Sequence, residues 1–175
     1  MIRALETRWD GHRFRSRLEA RWAVCFKALG LEYDYEPQGF EIDGECYLPD
    51  FYLPKNGIYV EIKPRGYPVS DDHPVFGLVK EIGRYGVLIS GNPALGQHQV
   101  TASTGSTFLH QAELAWDDEG NLWFDEGAFG KAWCTGLGRD GNRSTTHPKL
   151  FAAFLSATRA RFEFGEKPRL YGGAK

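Results

Sequence analysis

Apolar positions recur along this chain in two periods, and the two periods mark out its elements. Leu18, Trp22, Cys25, Phe26 and Leu29 fall at i, i+4, i+7, i+8 and i+11, the stripe of an amphipathic helix over 16–29. Ser16 is a good N-cap for it and Gly30 a good terminator. Residues 31–36 (LEYDYE) alternate strictly, which predicts a strand stopped by Pro37. Two further strand-like runs, 46–53 and 58–63, flank a turn at 54–57, with a short extra strand at 40–42 ahead of them. Pairing Leu53 with Ile58, Tyr52 with Tyr59, Phe51 with Val60 and Asp50 with Glu61 sets Phe51, Leu53, Ile58, Val60 and Ile62 on one apolar face. Asp50, Glu61 and Lys63 then share the other face.

Asp72 with Pro74 predicts the cap and first turn of a second helix running to about Arg84, and the apolar run 86–90 predicts a buried strand. The expected order is α-β-β-β-α-β: a mixed sheet flanked by helices, of the α/β (α+β) class. Beyond it, 94–107 is polar and Gly/Ser/Thr-rich and reads as a loop or lid. Residues 108–116 and 121–124 suggest a hairpin around Asp118-Glu119-Gly120, and 127–146 is Gly-rich and irregular. Pro148 opens a last helix to about Phe162, with Leu150, Phe151, Phe154, Leu155, Thr158 and Phe162 on one face. The chain thus divides into a core over 1–93 and a C-terminal extension over 94–175 that packs on it.

A length of 175 residues with 42% hydrophobic and 14% aromatic content is enough for one domain with a real core, and excludes a disordered chain. No apolar run approaches the roughly 20 residues needed to span a bilayer, and the amino terminus lacks the apolar stretch of a secretory signal. The expected location is cytoplasmic, with no membrane partner. Three widely spaced cysteines, Cys25, Cys46 and Cys134, show neither zinc spacing nor a disulfide framework, and Cys25 falls on the helix stripe. The net charge of −2 conceals a pattern: residues 1–30 carry +4, residues 131–175 carry +6, and the middle carries −12. Basic ends around an acidic centre suit a metal-binding core with flanks able to meet phosphates, although solvated surface charge explains any single Arg equally well.

The acids of the hairpin carry the chemistry. Two carboxylates facing each other across a ladder repel unless something binds them. An acid after a Pro (Pro49-Asp50), a tight turn, then Glu61-Ile62-Lys63 at the facing register, with Glu19 on an upstream helix, resembles the PD-(D/E)XK nuclease superfamily. Within it the wording is most similar to the phage endonuclease I group, which resolves Holliday junctions. The residues concerned are Phe14-Arg15-Ser16, Leu18-Glu19, Tyr35-Glu36, Pro49-Asp50-Phe51, Leu53-Pro54, Asn56-Gly57 and Val60-Glu61. The similarity spans residues 13–66. Pro64 departs from it, since a Gly commonly follows the Lys, and nothing beyond residue 90 can be matched.

The resemblance implies a restriction-endonuclease-like core and Mg²⁺-dependent hydrolysis of DNA phosphodiesters, with Mn²⁺ substituting. Asp50, Glu61 and the Ile62 carbonyl would be metal ligands, and Glu19 would serve a second metal or its water. Lys63 would orient the attacking water or stabilise the transition state. Arg13, Arg15, Ser16 and Arg17, at the opening of the first helix, would meet the DNA backbone. Symmetric cutting of a junction implies a homodimer. Each residue also has a plainer role: Asp50 as a turn acid, Lys63 as a counter-ion, and Glu19 as the acid of a capping box bonding the Ser16 amide. His73, beside Asp71 and Asp72, is better explained by a capped helix start than by a ligand cluster. Rival functions are a restriction, transposition or phage-defence nuclease on the same core, a non-catalytic DNA-binding module, and a hydrolase of small phosphoesters.

Overall fold

The computed structural model of the chain describes residues 6–55, 57–94, 99–103, 108–125, 132–134, 143–163 and 166–171. It opens on a hairpin that the periodicity does not reveal, β1 (Thr7–Trp9) paired with β2 (His12–Phe14). The turn is Asp10-Gly11, at φ +50 and +82, the left-handed pair of a type I′ turn that an Asp-Gly sequence favours.

Helix α1 (Arg17–Leu29) has the predicted caps: the Ser16 hydroxyl accepts from the Glu19 amide at 3.2 Å, and Gly30 ends the helix at φ +78. The Gly30 and Leu31 amides donate back to the Lys27 and Phe26 carbonyls, a Schellman ending. That ending corrects the next element. With Leu31 spent on the helix, only Asp34–Tyr35 (β3) pairs as a strand, while Leu31 and Tyr33 still pack into the core.

The expected first arm of the central hairpin also divides. Phe40–Ile42 (β4) pairs with Glu45–Tyr47 (β5) in a two-stranded sheet of its own, around Asp43-Gly44 at φ +51 and +81. Only Phe51–Leu53 (β6) joins Ile58–Lys63 (β7), with Phe51, Tyr52 and Leu53 opposite Val60, Tyr59 and Ile58 as the pattern requires. Helix α2 (Pro74–Ile82) leads into β8 (Tyr85–Ser90), which runs parallel to β7. Its N-cap is His73, not Asp72. Gly86 lets α2 approach closely, since a Cβ there would meet Val79 at 2.9 Å.

Residues expected to be loop contain β9 (Gln99–Ser103). The hairpin is present as β10 (Phe108–Asp117) and β11 (Leu122–Asp125), and short strands β12 (Ala132–Cys134) and β13 (Arg143–Ser144) follow where irregular chain was expected. The remaining parts of 94–107 and 127–146 include stretches outside the described residues. All these strands extend one sheet, in the order β12-β11-β10-β9-β8-β7-β6-β3 with β13 on β10. Along that sheet, residues 17–90 run α1-β3-β6-β7-α2-β8, with the β4–β5 hairpin inserted. The fold is mixed α+β.

Helix α3 (Pro148–Thr158) closes the chain against α1. It buries Leu150, Ala153, Phe154 and Ala157, a face rotated from the predicted one, and leaves Phe151 52% exposed. The alanines explain the rotation, because small side chains let two helices approach closely. Glu19, Ala20, Ala23, Val24 and Ala28 are buried along with the stripe of α1, so that helix is covered on more than its predicted face. Phe51, Leu53, Ile58, Val60 and Ile62 belong to the core shared with α1 and α3, as expected of the apolar face. Tyr59 packs on the opposite side with Val75, Phe76 and Leu88, under α2 and the β4–β5 hairpin. Among the described residues no helix is long and apolar enough to cross a membrane.

Candidate functional site

Pro49 opens the site. Carrying the β6–β7 register two residues further would set Pro49 opposite Ile62. Proline has no N–H to give the Ile62 carbonyl, so the ladder ends there. The Asp50 carbonyl lies on the other edge, where it continues the β3–β6 ladder by accepting from the Glu36 amide at 2.9 Å. Its carboxylate takes the vacated ladder position instead, with Oδ2 accepting from the Ile62 amide at 2.8 Å. The Ile62 carbonyl lies on the same edge of β7 as that amide, facing the gap where β6 is missing.

Strand alternation then places Glu61 and Lys63 together on the side facing α2. Glu61 Oε2 accepts from the Tyr47 hydroxyl at 2.7 Å, and Oε1 contacts the Lys63 ammonium. That ammonium lies 5.5 Å from the centre of the Tyr67 ring. Arg15, just ahead of α1, donates from Nη2 to Asp50 Oδ1 at 2.8 Å and pairs through Nε with Glu36 at 2.6 Å. Glu19 holds the same end of α1: Oε2 accepts from the Tyr35 hydroxyl at 2.7 Å and the Arg15 amide at 3.1 Å, and Oε1 from the Ser16 hydroxyl at 2.6 Å. Its reciprocal cap therefore runs to Arg15 and the Ser16 hydroxyl, where a standard capping box would use the Ser16 amide.

One cleft of about 600 Å³ gathers Arg15, Ser16, Glu19, Asp50, Glu61, Ile62 and Lys63. Seven of the nine residues singled out from the sequence therefore meet. Arg13 and Arg17 do not. They line a separate cavity of about 870 Å³ with Trp9 and Phe162, Arg13 paired with Glu6 at 2.9 Å and Arg17 with Glu163 at 2.5 Å. Both therefore lie outside the cleft of the acids, on another face of the same end of α1. In the basic C-terminal part, Arg143 and Lys149 lie over Trp123 and Trp116, each 4.9 Å from the ring centre. Arg139 is outside the described residues.

The electrostatics of the cleft are strained toward positive charge. Asp50 and Glu61 are each 4% exposed. Burial first, then the charge of Glu61, push the Asp50 carboxyl up to about 7, and the Ile62 amide and Lys63 do not offset this. Burial opposes the Arg15 charge, but the Tyr35 hydrogen bond and the carboxylates of Asp50, Glu36 and Glu19 raise its pKa. Burial likewise opposes Lys63, and Glu61 outweighs it, so the ammonium keeps its proton. Tyr47 is raised by burial and by Glu61, and stays a hydroxyl donor.

Among the described residues no group of three or more His, Cys, Asp or Glu is assembled as a ready metal site. Mg²⁺ does not require one, because it keeps several waters and typically takes one or two carboxylates. Each of the four oxygens of Asp50 and Glu61 accepts one hydrogen bond and retains a second lone pair. With the adjacent Ile62 carbonyl, the donor set is all oxygen and fits a hard divalent cation.

Tyr35 and Glu36, which belong to the matched wording but carry no predicted role, also shape the site, as do Tyr47, Tyr67 and His73, which the motif did not single out. Tyr47 could have been found from the two-residue alternation of 45–47 beside the Pro-Asp pair. Nothing local announces Tyr67 or His73, which the chain brings back from beyond β7. No protein-family model matches the chain, and no curated protein or solved structure matches it either.

Proposed function

We propose that this cleft is the active site of a Mg²⁺-dependent DNA endonuclease with a restriction-endonuclease-like core of the PD-(D/E)XK kind, selective for branched DNA. One observation carries the proposal: two carboxylates from opposite arms of a β-hairpin, both buried, crowd one cleft where one of them is driven toward neutrality. A divalent cation relieves that crowding better than the Arg15 guanidinium and the Lys63 ammonium do.

Asp50, Glu61 and the Ile62 carbonyl would hold the ion, and Glu19 lies in the same cleft to orient a water or a second ion. Bound there, Mg²⁺ supplies Lewis-acid polarisation of the phosphate and a more acidic water. Lys63 keeps its proton beside Glu61, so it acts as a positive donor to the reacting phosphate and its nucleophile rather than as a base. Arg15, its side chain half exposed at the cleft's edge, is the residue of this wall that would reach a neighbouring phosphate by giving up one of its two carboxylate partners. Tyr47 fixes the Glu61 carboxylate. The preference for junctions and the homodimer rest on the sequence resemblance, since two symmetric cuts need two sites.

The test is to incubate the protein with supercoiled plasmid and with a synthetic four-way junction, under Mg²⁺, Mn²⁺ or chelator, alongside Asp50→Asn. Metal-dependent cutting lost in the variant supports the proposal, and faster cutting of the junction supports the substrate class. Equal cutting of linear duplex points to a restriction or defence role. Junction binding without cutting by wild type leaves Arg15–Asp50 and Lys63–Glu61 as structural ion pairs in a non-catalytic DNA-binding module.

A further inference from the structure

We propose that His73 is a further catalytic residue of this cleft, its Nε2–H donating a hydrogen bond to an oxygen of the phosphate being cleaved; the inference rests on the nuclease reading of the site. His73 lines the cleft together with Glu61 and Lys63. Its ring is fixed. Nδ1 accepts from the Val75 amide at 3.3 Å as the N-cap of α2, and Pro74 follows at the first helical position. Tyr47, Tyr67 and Phe76 surround the ring edge-to-face at centroid distances of 6.2, 6.1 and 6.2 Å.

Because Nδ1 is an acceptor, the proton of the neutral ring sits on Nε2. Burial holds the ring neutral, lowering its pKa, with Glu61 opposing and Lys63 assisting. Among the described residues nothing hydrogen-bonds Nε2. A cap uses only one nitrogen, so the second is left as a donor with a set direction. Two of the rings that steady it also hold the reacting groups: Tyr47 donates to Glu61, and Tyr67 lies under Lys63. The amino end of α2, with Pro74 in the cleft wall, adds a favourable field for an anion. A phosphate held by the acids through a cation and approached by Lys63 would therefore meet a rigid neutral donor on the α2 side.

His73→Asn and His73→Ser separate the two roles, since Asn and Ser are preferred N-caps but lack Nε2. Both variants keep the cap but lose the ring's packing, so a modestly lower melting temperature is expected with Mg²⁺ affinity retained, together with a loss of about 10- to 100-fold in kcat/KM on a four-way junction measured well below the melting temperature. Cleavage within about twofold of wild type in a folded variant overturns the proposal. A second measurement does not depend on cleavage. In wild type with Ca²⁺, the ¹⁵N resonance of His73 Nε2, assigned by its loss in His73→Asn, should move on titration with junction DNA. A resonance unmoved at saturation overturns the proposal. Wild type that never cuts, yet shows the shift, refutes the nuclease reading while leaving His73 as a phosphate contact.

Discussion

Replacing Asp50 by Asn tests the crowding of the cleft with no need for turnover. In the folded protein the carboxyl is pushed from 3.8 to about 7. Below pH 3.8 the proton is on in both states and this group's contribution to stability is intact. Between 3.8 and 7 the unfolded chain gives up the proton and the folded one keeps it, so stability falls as pH rises. Above about 7 both ionise and the loss levels off. At about 1.4 kcal/mol per pH unit, the carboxyl costs the metal-free protein on the order of 2–3 kcal/mol between pH 5 and pH 8. The side chain is only 5% exposed, so solvent does little to relieve this.

The measured quantity is the change with pH in the stability difference between wild type and Asp50→Asn, by urea denaturation in chelator followed through tryptophan fluorescence. The variant has nothing to titrate at this position. A difference at a single pH would mix in the acceptor that Asn surrenders, either to Arg15 or to the Ile62 amide. The change with pH cancels that constant cost. Wild type should lose on the order of 2–3 kcal/mol relative to the variant between pH 5 and 8. Mg²⁺ at ten times its dissociation constant should return about 1.4 kcal/mol to wild type at pH 8 and far less to the variant. A difference that stays flat within about 0.5 kcal/mol refutes the idea that burial and Glu61 crowd this carboxyl.

Two further outcomes follow from the same contacts. Tyr47→Phe removes the hydroxyl that donates to Glu61 Oε2 while keeping the ring beside His73; it should cost about 1.5–3 kcal/mol at pH 8 and weaken Mg²⁺ binding by about tenfold or more, read by urea denaturation and metal titration. Ala157→Leu overfills the face of α3 that lies against α1 and should lower stability by about 1–3 kcal/mol or more, whereas Phe151→Ala on the exposed face of the same helix should stay within about 0.5 kcal/mol, both checked by thermal melting.

The parts of the fold legible in the sequence are those where one local pattern decides the outcome. The stripe and caps of α1, and the alternation that pairs Phe51–Leu53 with Ile58–Val60, belong to this kind. The failures in the strands share a cause, which is competition for backbone groups by features several residues away. The alternation of 31–36 predicts six strand residues, but the helix ending takes the Leu31 amide. The run 46–53 looks continuous, but Asp43-Gly44 turns its first half back on β4, and Pro49 takes its centre out of the ladder. On α3 Leu150 and Phe154 are buried as the pattern predicts, but Phe151 is exposed and Ala153 and Ala157 complete the buried face, which a search for large apolar residues passes over. The acids were legible because their pattern lies in one hairpin. Tyr67 and His73 were not, because only the crossover from β7 through α2 to β8 brings them back to the cleft.

The same Pro49 that breaks the strand pattern explains why the site is preorganised. Asp50 is held by the Ile62 amide and Arg15, Glu61 by Tyr47 and Lys63, and Glu19 by Tyr35 and the turn before α1. Each carboxylate has partners beyond its own element, so its position is set without a cation, and the proposed ion would need little reorganisation to bind. The internal cations differ in how firmly they are committed. The Lys63 side chain is 25% exposed and belongs to the same strand as Glu61, whereas Arg15 is 55% exposed and also has Glu36 as a partner. A divalent ion held by Asp50, as proposed, would compete with Arg15 for the same carboxylate. Arg15 is the one cation of the pair with both the freedom and an alternative partner to yield, and a guanidinium released at the cleft edge is suited to a phosphate. Metal uptake and backbone contact would then be linked through a single side chain, so Arg15→Met should tighten Mg²⁺ binding in the absence of DNA while raising KM for the junction.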